Sequence, residues 1–279
     1  MTTPAVETLA PITPAVAPML DALVAASGWN QTLRDWQLFE RLGSIHVIRD
    51  AQGTVVASGA VLPMEKVAWI SMILVMPAAR GRGLGRAMFA RCLQQVKEAG
   101  LTAMLDATPQ GEPLYAGFGF SPLWRLTRWQ REAGTEAAAA RPVDKPSIGG
   151  LAALDAQALG VARPAVLADL LEREGSCCVR NGLAFGLVRT GRAAHQIGPL
   201  LSAHEQTAAA LLPSTVGNLS GRICIDVPDD RPAMAQALRR AGFAPQRGFA
   251  RMALATRGDA PPLLGQPAFI HAIAGPEFG

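Results

Sequence analysis

Aromatic residues, cysteines and long apolar runs are all scarce in this chain, and each scarcity excludes a class of protein. Phenylalanine, tryptophan and tyrosine make up 5% of the 279 residues, with a single tyrosine. The four cysteines form no CxxC pair and have no histidine at ligand spacing, so we expect neither a zinc site nor a disulfide framework. No stretch approaches the roughly 18 apolar residues that a membrane span requires.

The amino-terminal segment also lacks the pattern of a secretory signal. It has no basic region ahead of its apolar residues, and prolines and Asp21 interrupt it. We therefore expect a soluble, cytoplasmic protein with no metal and no membrane partner.

Positive charge is in slight excess and comes almost entirely from arginine. The formal net charge is +4 at pH 7. Basic residues are scattered along the chain, except in the stretch Arg80–Arg86. A nucleic-acid binder would be expected to carry a basic patch or stripe. The distribution favours a small anionic ligand and no nucleic acid.

The two halves of the chain show the same order of predicted elements. Each begins with helical segments, continues with three strand-like runs, a helix and a strand, and ends with a short helix and a further strand. The segments MLDATPQGEPLYAGFGFSP and CIDVPDDRPAMAQALRRAGFAP correspond, because each contains a strand, an aspartate, a proline, a helix and a Gly-Phe pair. We interpret this correspondence as an internal duplication.

A change in composition marks the boundary between the halves. Residues 131–147 are small, polar and proline-containing, as is typical of a linker. We expect an amino-terminal domain over residues 1–132, a linker over 133–147 and a carboxy-terminal domain over 148–279. Two domains also suit the chain length, since domains cluster near roughly 100 to 150 residues.

The stretch Arg80–Arg86, RGRGLGR, is the clearest candidate for a ligand-binding loop. It lies between an apolar strand-like run and a helical segment. Its alternating glycines allow backbone amides to converge at the positive end of the helix, which is typical of a pyrophosphate site. The spacing matches neither the Walker A loop nor the GxGxxG fingerprint. The alternative is a tight strand-to-helix turn with surface arginines. The corresponding stretch of the second half, SAHEQTAAA, contains no glycine.

The spacing Arg-x-x-Gly-x-Gly in this stretch resembles motif A of the GNAT superfamily of acetyl-CoA-dependent acyltransferases. The preceding LVMP resembles strand four of that family, and PLYAGFGF resembles its second landmark, a tyrosine shortly before Gly-Phe. The resemblance implies an α+β fold with a mostly antiparallel sheet flanked by helices. Together with the duplication, it implies a tandem GNAT protein whose second half is a divergent copy.

The resemblance further implies that acetyl-CoA is the acyl donor. The loop amides would bind the CoA pyrophosphate, the end of strand four would hydrogen-bond pantetheine, and arginine charge would strengthen the contacts. The residues predicted to bind the donor are Leu74, Val75, Arg80, Gly81, Arg82, Gly83, Leu84, Gly85 and Arg86. The implied reaction is acetyl transfer to a small amine, amino acid or amino sugar by direct attack on the thioester.

Tyr115 is the predicted general acid. It occupies the family's tyrosine position, and a phenol with an ordinary pKa of about 10 is protonated at neutral pH. The alternative is a tyrosine packed beneath the short helix with its hydroxyl satisfied locally. The family resemblance places the oxyanion donor at a backbone amide near Ile73 or Leu74. The general base stays open between a water chain and Asp106, because Trp69 stands where some family members have glutamate.

Trp29, Asp35 and Asp106 are the predicted acceptor-binding residues. Aromatic faces and carboxylates can together hold a cationic amine. Trp36, in the same region, has the helical spacing of a core residue. A structural role is the alternative for Asp106, because Asp226 occupies the same place in the second half.

The second half is expected to complete the fold and to wall off the acceptor cleft without catalysing the reaction. It has no glycine loop and no tyrosine. Its closing segment FIHAIAG is expected to pair with the first half, which offers one strand after Phe120 where the family has two. The alternative function is a non-enzymatic acetyl-CoA sensor.

Overall fold

The structure is a computed structural model that describes residues 5–134, 148–182, 184–217, 219–254 and 265–279. The predicted linker over 133–147 lies outside the described residues from position 135 onward. The strand that precedes it continues to Gly134.

The first half contains the predicted helices and strands together with a short additional strand at its start. In chain order its elements are β1 (Glu7–Leu9), α1 (Ala17–Ala26), α2 (Leu33–Leu42), β2 (Ser44–Arg49), β3 (Val55–Met64), β4 (Val67–Val75), α3 (Leu84–Glu98), β5 (Thr102–Ala107), α4 (Glu112–Ala116) and β6 (Ser121–Gly134). The turn between β2 and β3 forms because Asp50 accepts hydrogen bonds from the amides of Gln52 and Thr54, at 3.0 and 2.9 Å.

The second half repeats this order. Its elements are α5 (Ile148–Leu159), α6 (Pro164–Glu172), β7 (Cys177–Asn181), β8 (Ala184–Thr190), β9 (His195–Leu201), α7 (Glu205–Gly217), β10 (Gly221–Pro228), α8 (Pro232–Arg240), β11 (Ala244–Leu254) and β12 (Ile270–Ala272). The helical region at the start of this half is divided in two. Gly160 adopts a φ of 79° after α5, and Pro164 begins α6.

Among the described residues, twelve strands form one mostly antiparallel sheet, which confirms the predicted fold class. The strand order is β1-β2-β3-β4-β5-β11-β6-β10-β9-β8-β7, and β12 pairs with β9. Strand β11 of the second half therefore lies between β5 and β6 of the first, and β6 in turn pairs with β10. The two halves exchange their last long strands.

The expectation that FIHAIAG pairs with the first half is wrong. Strand β12 pairs with β9 in its own half, through Ile270 opposite Leu201 and Ala272 opposite Leu200. The additional strand that the first half lacks is β11. Strands β6 and β11 are equivalent, because each follows a short helix and a Gly-Phe pair. Through the exchange, each half therefore pairs with the equivalent strand of the other half.

Alternating residues along the strands face helices on opposite sides of the sheet. Leu62 and Trp69 lie in the core cluster that contains the buried residues of α1, α2, α5 and α6. Val61 and Ile70 lie in the cluster of α3. The first cluster includes residues of both halves, so the halves share a continuous hydrophobic core.

Candidate active site

A cleft opens where β4 and β5 separate. These parallel strands pair over Val67–Trp69 and Thr102–Met104 and then diverge. The empty space of the cleft is about 480 Å³, and its walls include residues of both halves. Backbone groups on the facing edges of the two strands are left available to a ligand beyond this point.

A β-bulge shapes the β4 wall of this cleft. Ser58 of β3 lies opposite Leu74 and Ala60 lies opposite Ser71, so β4 has one extra residue here. Met72 in the bulge adopts a φ of 54°, and its carbonyl oxygen accepts a hydrogen bond of 2.9 Å from the Ser58 hydroxyl. The bulge reorients the backbone beside Ile73, where the family resemblance places the oxyanion donor.

The glycine loop follows directly from β4 and ends at the start of α3. Gly81 and Gly83 have φ values of 75° and 76°, and a Cβ on either would meet no atom within 4 Å. Gly83 is the N-cap of α3, whose first-turn amides have no acceptor within the helix. Gly85 is already helical, and a Cβ there would make an ordinary contact of 3.6 Å with Val75. The loop is therefore exposed backbone at the positive end of a helix, which fits an anion such as a pyrophosphate.

The arginines of the loop are exposed, and two of them contact neighbouring elements. Arg80 Nε donates to the Val75 carbonyl at 3.1 Å, and the Arg86 guanidinium lies 4.7 Å from the centre of the Phe118 ring. Leu84, by contrast, is buried in the core. Leu84 is accordingly available to a ligand through its backbone, and the arginines through their side chains.

Tyr115, on α4, lines the cleft and is half-buried. Its ring packs at 4.7 Å from that of Phe89, which also contacts Phe118 and Phe120. A Cβ at Gly111 would come within 2.9 Å of the tyrosine ring. Within the described residues, the hydroxyl has no hydrogen-bond partner. Burial raises the pKa of Tyr115, so the phenol is protonated at neutral pH.

Asp106 lines the cleft from β5, and an arginine of the second half binds both of its carboxylate oxygens. Arg251 of β11 donates to these oxygens at 2.9 and 2.8 Å, and its guanidinium lies between the rings of Trp69 and Trp124. Burial raises the pKa of Asp106, and the Arg251 charge opposes that effect. The second half has the equivalent pair: Asp226 of β10 binds Arg128 of β6, a strand of the first half, through two bonds of 2.7 Å.

The other predicted acceptor-binding residues occupy different surroundings. Trp29 lines the cleft. Asp35 is buried, accepts a 2.6 Å bond from the Thr32 amide at the start of α2, and pairs at 2.6 Å with Arg173, the residue that follows α6. Trp36 is fully buried in the core, as its spacing predicted.

Glu277 is a cleft residue that sequence reasoning missed. Its side chain is 3% exposed, and its Oε1 accepts a 2.6 Å bond from Arg189 of β8, whereas its Oε2 has no partner among the residues that the structure describes. The sequence signal was a lone acidic residue in an otherwise apolar closing segment, which matches no motif. Gln31 and Ser71 also line the cleft, each with a buried, unpartnered side-chain oxygen.

Two classes of site are absent from the described part of the chain. It contains no group of three or more His, Cys, Asp or Glu side chains that could hold a metal ion. It also contains no helix long and apolar enough to cross a membrane.

Family models of GNAT acetyltransferases match both halves of the chain. The acetyltransferase (GNAT) family model matches residues 19–120, and the acetyltransferase (GNAT) domain model matches residues 151–262. Together they span well over half of the sequence. The chain belongs to the GNAT family of N-acetyltransferases, and it is a tandem GNAT protein.

Individual proteins are similar to this chain over most of its length. The chain is 22% identical over 235 residues to the uncharacterized N-acetyltransferase YitH of Bacillus subtilis, covering 79% of this chain and 82% of that protein. A putative acetyltransferase from Pyrococcus horikoshii superposes with a TM-score of 0.80 at 20% identity, over 100% of this chain and 97% of that one. A tandem GNAT protein from the clavulanic acid biosynthesis pathway gives a TM-score of 0.62 at 16% identity, with coverages of 92% and 99%. At these identities the structural similarity shows a common fold.

Proposed function

We propose that this protein transfers the acetyl group of acetyl-CoA to the primary amine of a small molecule, such as an amine, an amino acid or an amino sugar. The observation that carries the proposal is that one cleft has Tyr115 and β4 in its walls, and that the open glycine loop follows β4 in the chain after the short turn Pro77–Ala79. The general activity of the family, acyl transfer, requires a donor site and a proton source in one cleft.

Nine residues are assigned to the donor, and the local geometry fits them. The loop amides at the start of α3 would bind the pyrophosphate, and the diverging edge of β4 would hydrogen-bond pantetheine. The assigned residues are Leu74, Val75, Arg80, Gly81, Arg82, Gly83, Leu84, Gly85 and Arg86. When bound, acetyl-CoA supplies the activated carbonyl carbon.

Residues of the cleft supply what attack on a thioester needs. A backbone amide beside the β4 bulge would bind the oxyanion. Tyr115 would give its proton to the departing thiolate, because it remains protonated and faces the cleft. Trp29 and Asp106 line the same cleft and are proposed to contact the acceptor. Asp35, the third predicted acceptor-binding residue, is not among the described residues that line the cleft; its carboxylate binds the Thr32 amide and Arg173 instead.

The test compares the wild type with Tyr115→Phe. Acetyl-CoA consumption is followed with a thiol-reactive dye across a panel of amines, amino acids and amino sugars, and donor affinity is measured by calorimetry. We expect kcat to fall about 100-fold, since general acid catalysis contributes 10² to 10⁴. Donor affinity should be unchanged.

Phe120→Leu is the matched control. In the wild type, the centre of the Phe120 ring lies 5.5 Å from that of Phe89. Removing this ring disturbs the same aromatic cluster but keeps the Tyr115 hydroxyl. A similar loss of activity in both variants would contradict the assignment of Tyr115 as the acid. Tight donor binding without turnover of any acceptor by the wild type would identify an acetyl-CoA sensor, and failure to bind the donor would overturn the reading of the loop.

A further inference from the structure

The closing segment of the chain fills the second half's equivalent of the cleft. Strands β9 and β10 are parallel and pair over His195–Ile197 and Ile223–Ile225, as β4 and β5 do in the first half. In the space beyond, β12 pairs with β9 and the Ile273 amide donates to the Asp226 carbonyl of β10 at 3.0 Å. A Cβ at Gly198 would overlap the Ile273 carbonyl oxygen, so the fit is close. One cleft is therefore open and the other is closed by residues 270–274.

The same segment then enters the open cleft of the first half. Trp69 Nε1 donates to the Pro276 carbonyl at 3.0 Å, and the Phe278 ring stacks on Phe39 at 5.8 Å. Because these contacts involve the residues immediately before and after Glu277, they hold Glu277 in the cleft wall. Arg189 further anchors the segment through the Ala274 carbonyl and Glu277 Oε1, at 2.5 and 2.6 Å. The segment that closes one cleft thus delivers a carboxylate to the other.

Among the described residues, three oxygen atoms without hydrogen-bond partners line this cleft, together with one nitrogen, Arg247 Nε. The oxygens are Glu277 Oε2, Gln31 Oε1 and Ser71 Oγ, and each is buried. Buried oxygens are ordinarily hydrogen-bonded, because leaving them unpaired costs free energy. An ammonium group has three N–H donors and no acceptor, so its chemistry matches this set of oxygens.

Given the proposed acetyl transfer, we infer that Glu277 is its general base: Oε2 receives a proton from the acceptor ammonium, while Gln31 and Ser71 accept hydrogen bonds from that group. The base is then supplied by the carboxy-terminal half and the acid by the amino-terminal half. Trp69 stands at the β4 position where some family members have a glutamate. Its indole hydrogen-bonds the backbone next to Glu277.

The ammonium gives one proton to Glu277, and the nitrogen lone pair forms the bond to the carbonyl carbon. The C–S bond breaks, its electron pair stays on sulfur, and the thiolate takes the Tyr115 proton. The second proton of the nitrogen returns to the Tyr115 phenolate, and Glu277 releases the first proton to solvent. The products are the amide, CoA thiol and one proton.

The surroundings of Glu277 favour proton transfer near neutral pH. Burial raises the pKa of Glu277, the charge of Asp35 adds to that effect, and Arg189 and Arg128 oppose it. A carboxylate with a raised pKa is a better match for a base that works near pH 7. The charged and titratable groups that face Glu277 or share its cleft are Arg189 on β8, Asp35 on α2, Arg128 on β6, Cys224 on β10, Asp106 on β5, Tyr115 on α4 and Arg247 on β11.

The experiment measures kcat against pH for the wild type and Glu277→Gln with one saturating acceptor. The Gln side chain keeps an oxygen for Arg189 but cannot take a proton. We expect kcat to fall about 100-fold at neutral pH. The wild-type decline of kcat at low pH, where Glu277 becomes protonated, should disappear. Affinity for acetyl-CoA should stay unchanged, which separates this result from unfolding.

Arg189→Met distinguishes a base from a merely structural glutamate. Removing the cation that lowers the pKa of Glu277 should raise that pKa, so the low-pH decline moves to higher pH. A glutamate that only holds the closing segment in place would leave the position of the decline unchanged. If Glu277→Gln fails to fold, this shift alone decides: a displaced decline supports the inference, and an unmoved one overturns it.

The outcomes also separate this inference from the proposed function. A wild type that turns over an acceptor, together with a Glu277→Gln variant of equal kcat and pH profile, would overturn the role of Glu277 and leave the acetyltransferase standing. A wild type that turns over no acceptor would overturn both.

Discussion

At the scale of single residues, two buried aspartates join the halves of the molecule. Asp106 binds Arg251 and Asp226 binds Arg128, and each pair links strands that come from different halves. The sequence indicates that the two aspartates are equivalent, because the segments around them repeat in the two halves. It did not reveal their partners, since each arginine lies on the strand contributed by the other half. Pairing between distant strands leaves no local pattern.

We predict that Asp106→Asn destabilises the protein by about 3–5 kcal/mol, because it leaves Arg251 as an unpaired charge in the interior. Both side chains of the pair are almost fully buried, at 2% and 0% exposure. Urea unfolding monitored by circular dichroism gives the change in the free energy of unfolding. Asp226→Asn should cause a similar loss, and Glu132→Gln, in an exposed pair with Arg222, should cause almost none. Equal, small effects in all three variants would contradict the prediction.

The candidate site divides at this scale into residues that local sequence could indicate and residues that it could not. Tyr115 and the glycine loop belong to short motifs within one half. The structure places Tyr115 in the cleft wall, and the loop follows the β4 wall in the chain. Glu277, Gln31 and Arg189 come from separate segments that tertiary packing assembles. A single acidic residue near the end of an apolar segment has no spacing to distinguish it from a surface charge.

At the scale of elements, the loop between β4 and α3 derives its shape from backbone conformation. Gly81 and Gly83 lie in the left-handed region, where side chains are disfavoured, and the space around both is open. Composition predicted this loop because glycine is the residue that adopts such conformations readily. The periodicity of apolar residues likewise predicted the helices and most strands. The short strand β1 was missed, since its three residues show no alternation.

We predict that Gly83→Ala weakens acetyl-CoA binding about tenfold, a loss of about 1.4 kcal/mol. A Cβ disfavours the left-handed conformation of residue 83. It would also project into the open space beside the loop, where the donor pyrophosphate is proposed to bind. Titration calorimetry measures the dissociation constant. Gly53→Ala is the matched control, because Gly53 has a φ of 80° and equally open surroundings but lies in the β2–β3 turn. Both variants should lose similar stability, and only Gly83→Ala should lose affinity. Equal affinities would show that the loop does not hold the donor.

At the scale of the whole molecule, the two halves form one sheet and share one core. Strand β11 separates β5 from β6, and α2 contacts α6 through the Arg41–Asp169 pair. The sequence predicted two repeated units, because the duplication is visible in element order. The exchange could not be predicted, since β6 and β11 are equivalent copies and either arrangement satisfies the same local pattern of apolar residues.

The exchange leads to a prediction about separated halves. A fragment of residues 1–140 lacks β11, so β5 and β6 lose a hydrogen-bonded neighbour and the cleft loses the segment that carries Glu277. The complementary fragment, residues 141–279, lacks β6 between β10 and β11. Because unpaired strand edges and exposed apolar surface disfavour folding, neither fragment should unfold cooperatively on its own. When co-expressed, they should co-purify as a complex with a cooperative transition. A 1–140 fragment that alone gives a dispersed NMR spectrum and binds acetyl-CoA would show that the first half folds without the exchanged strand.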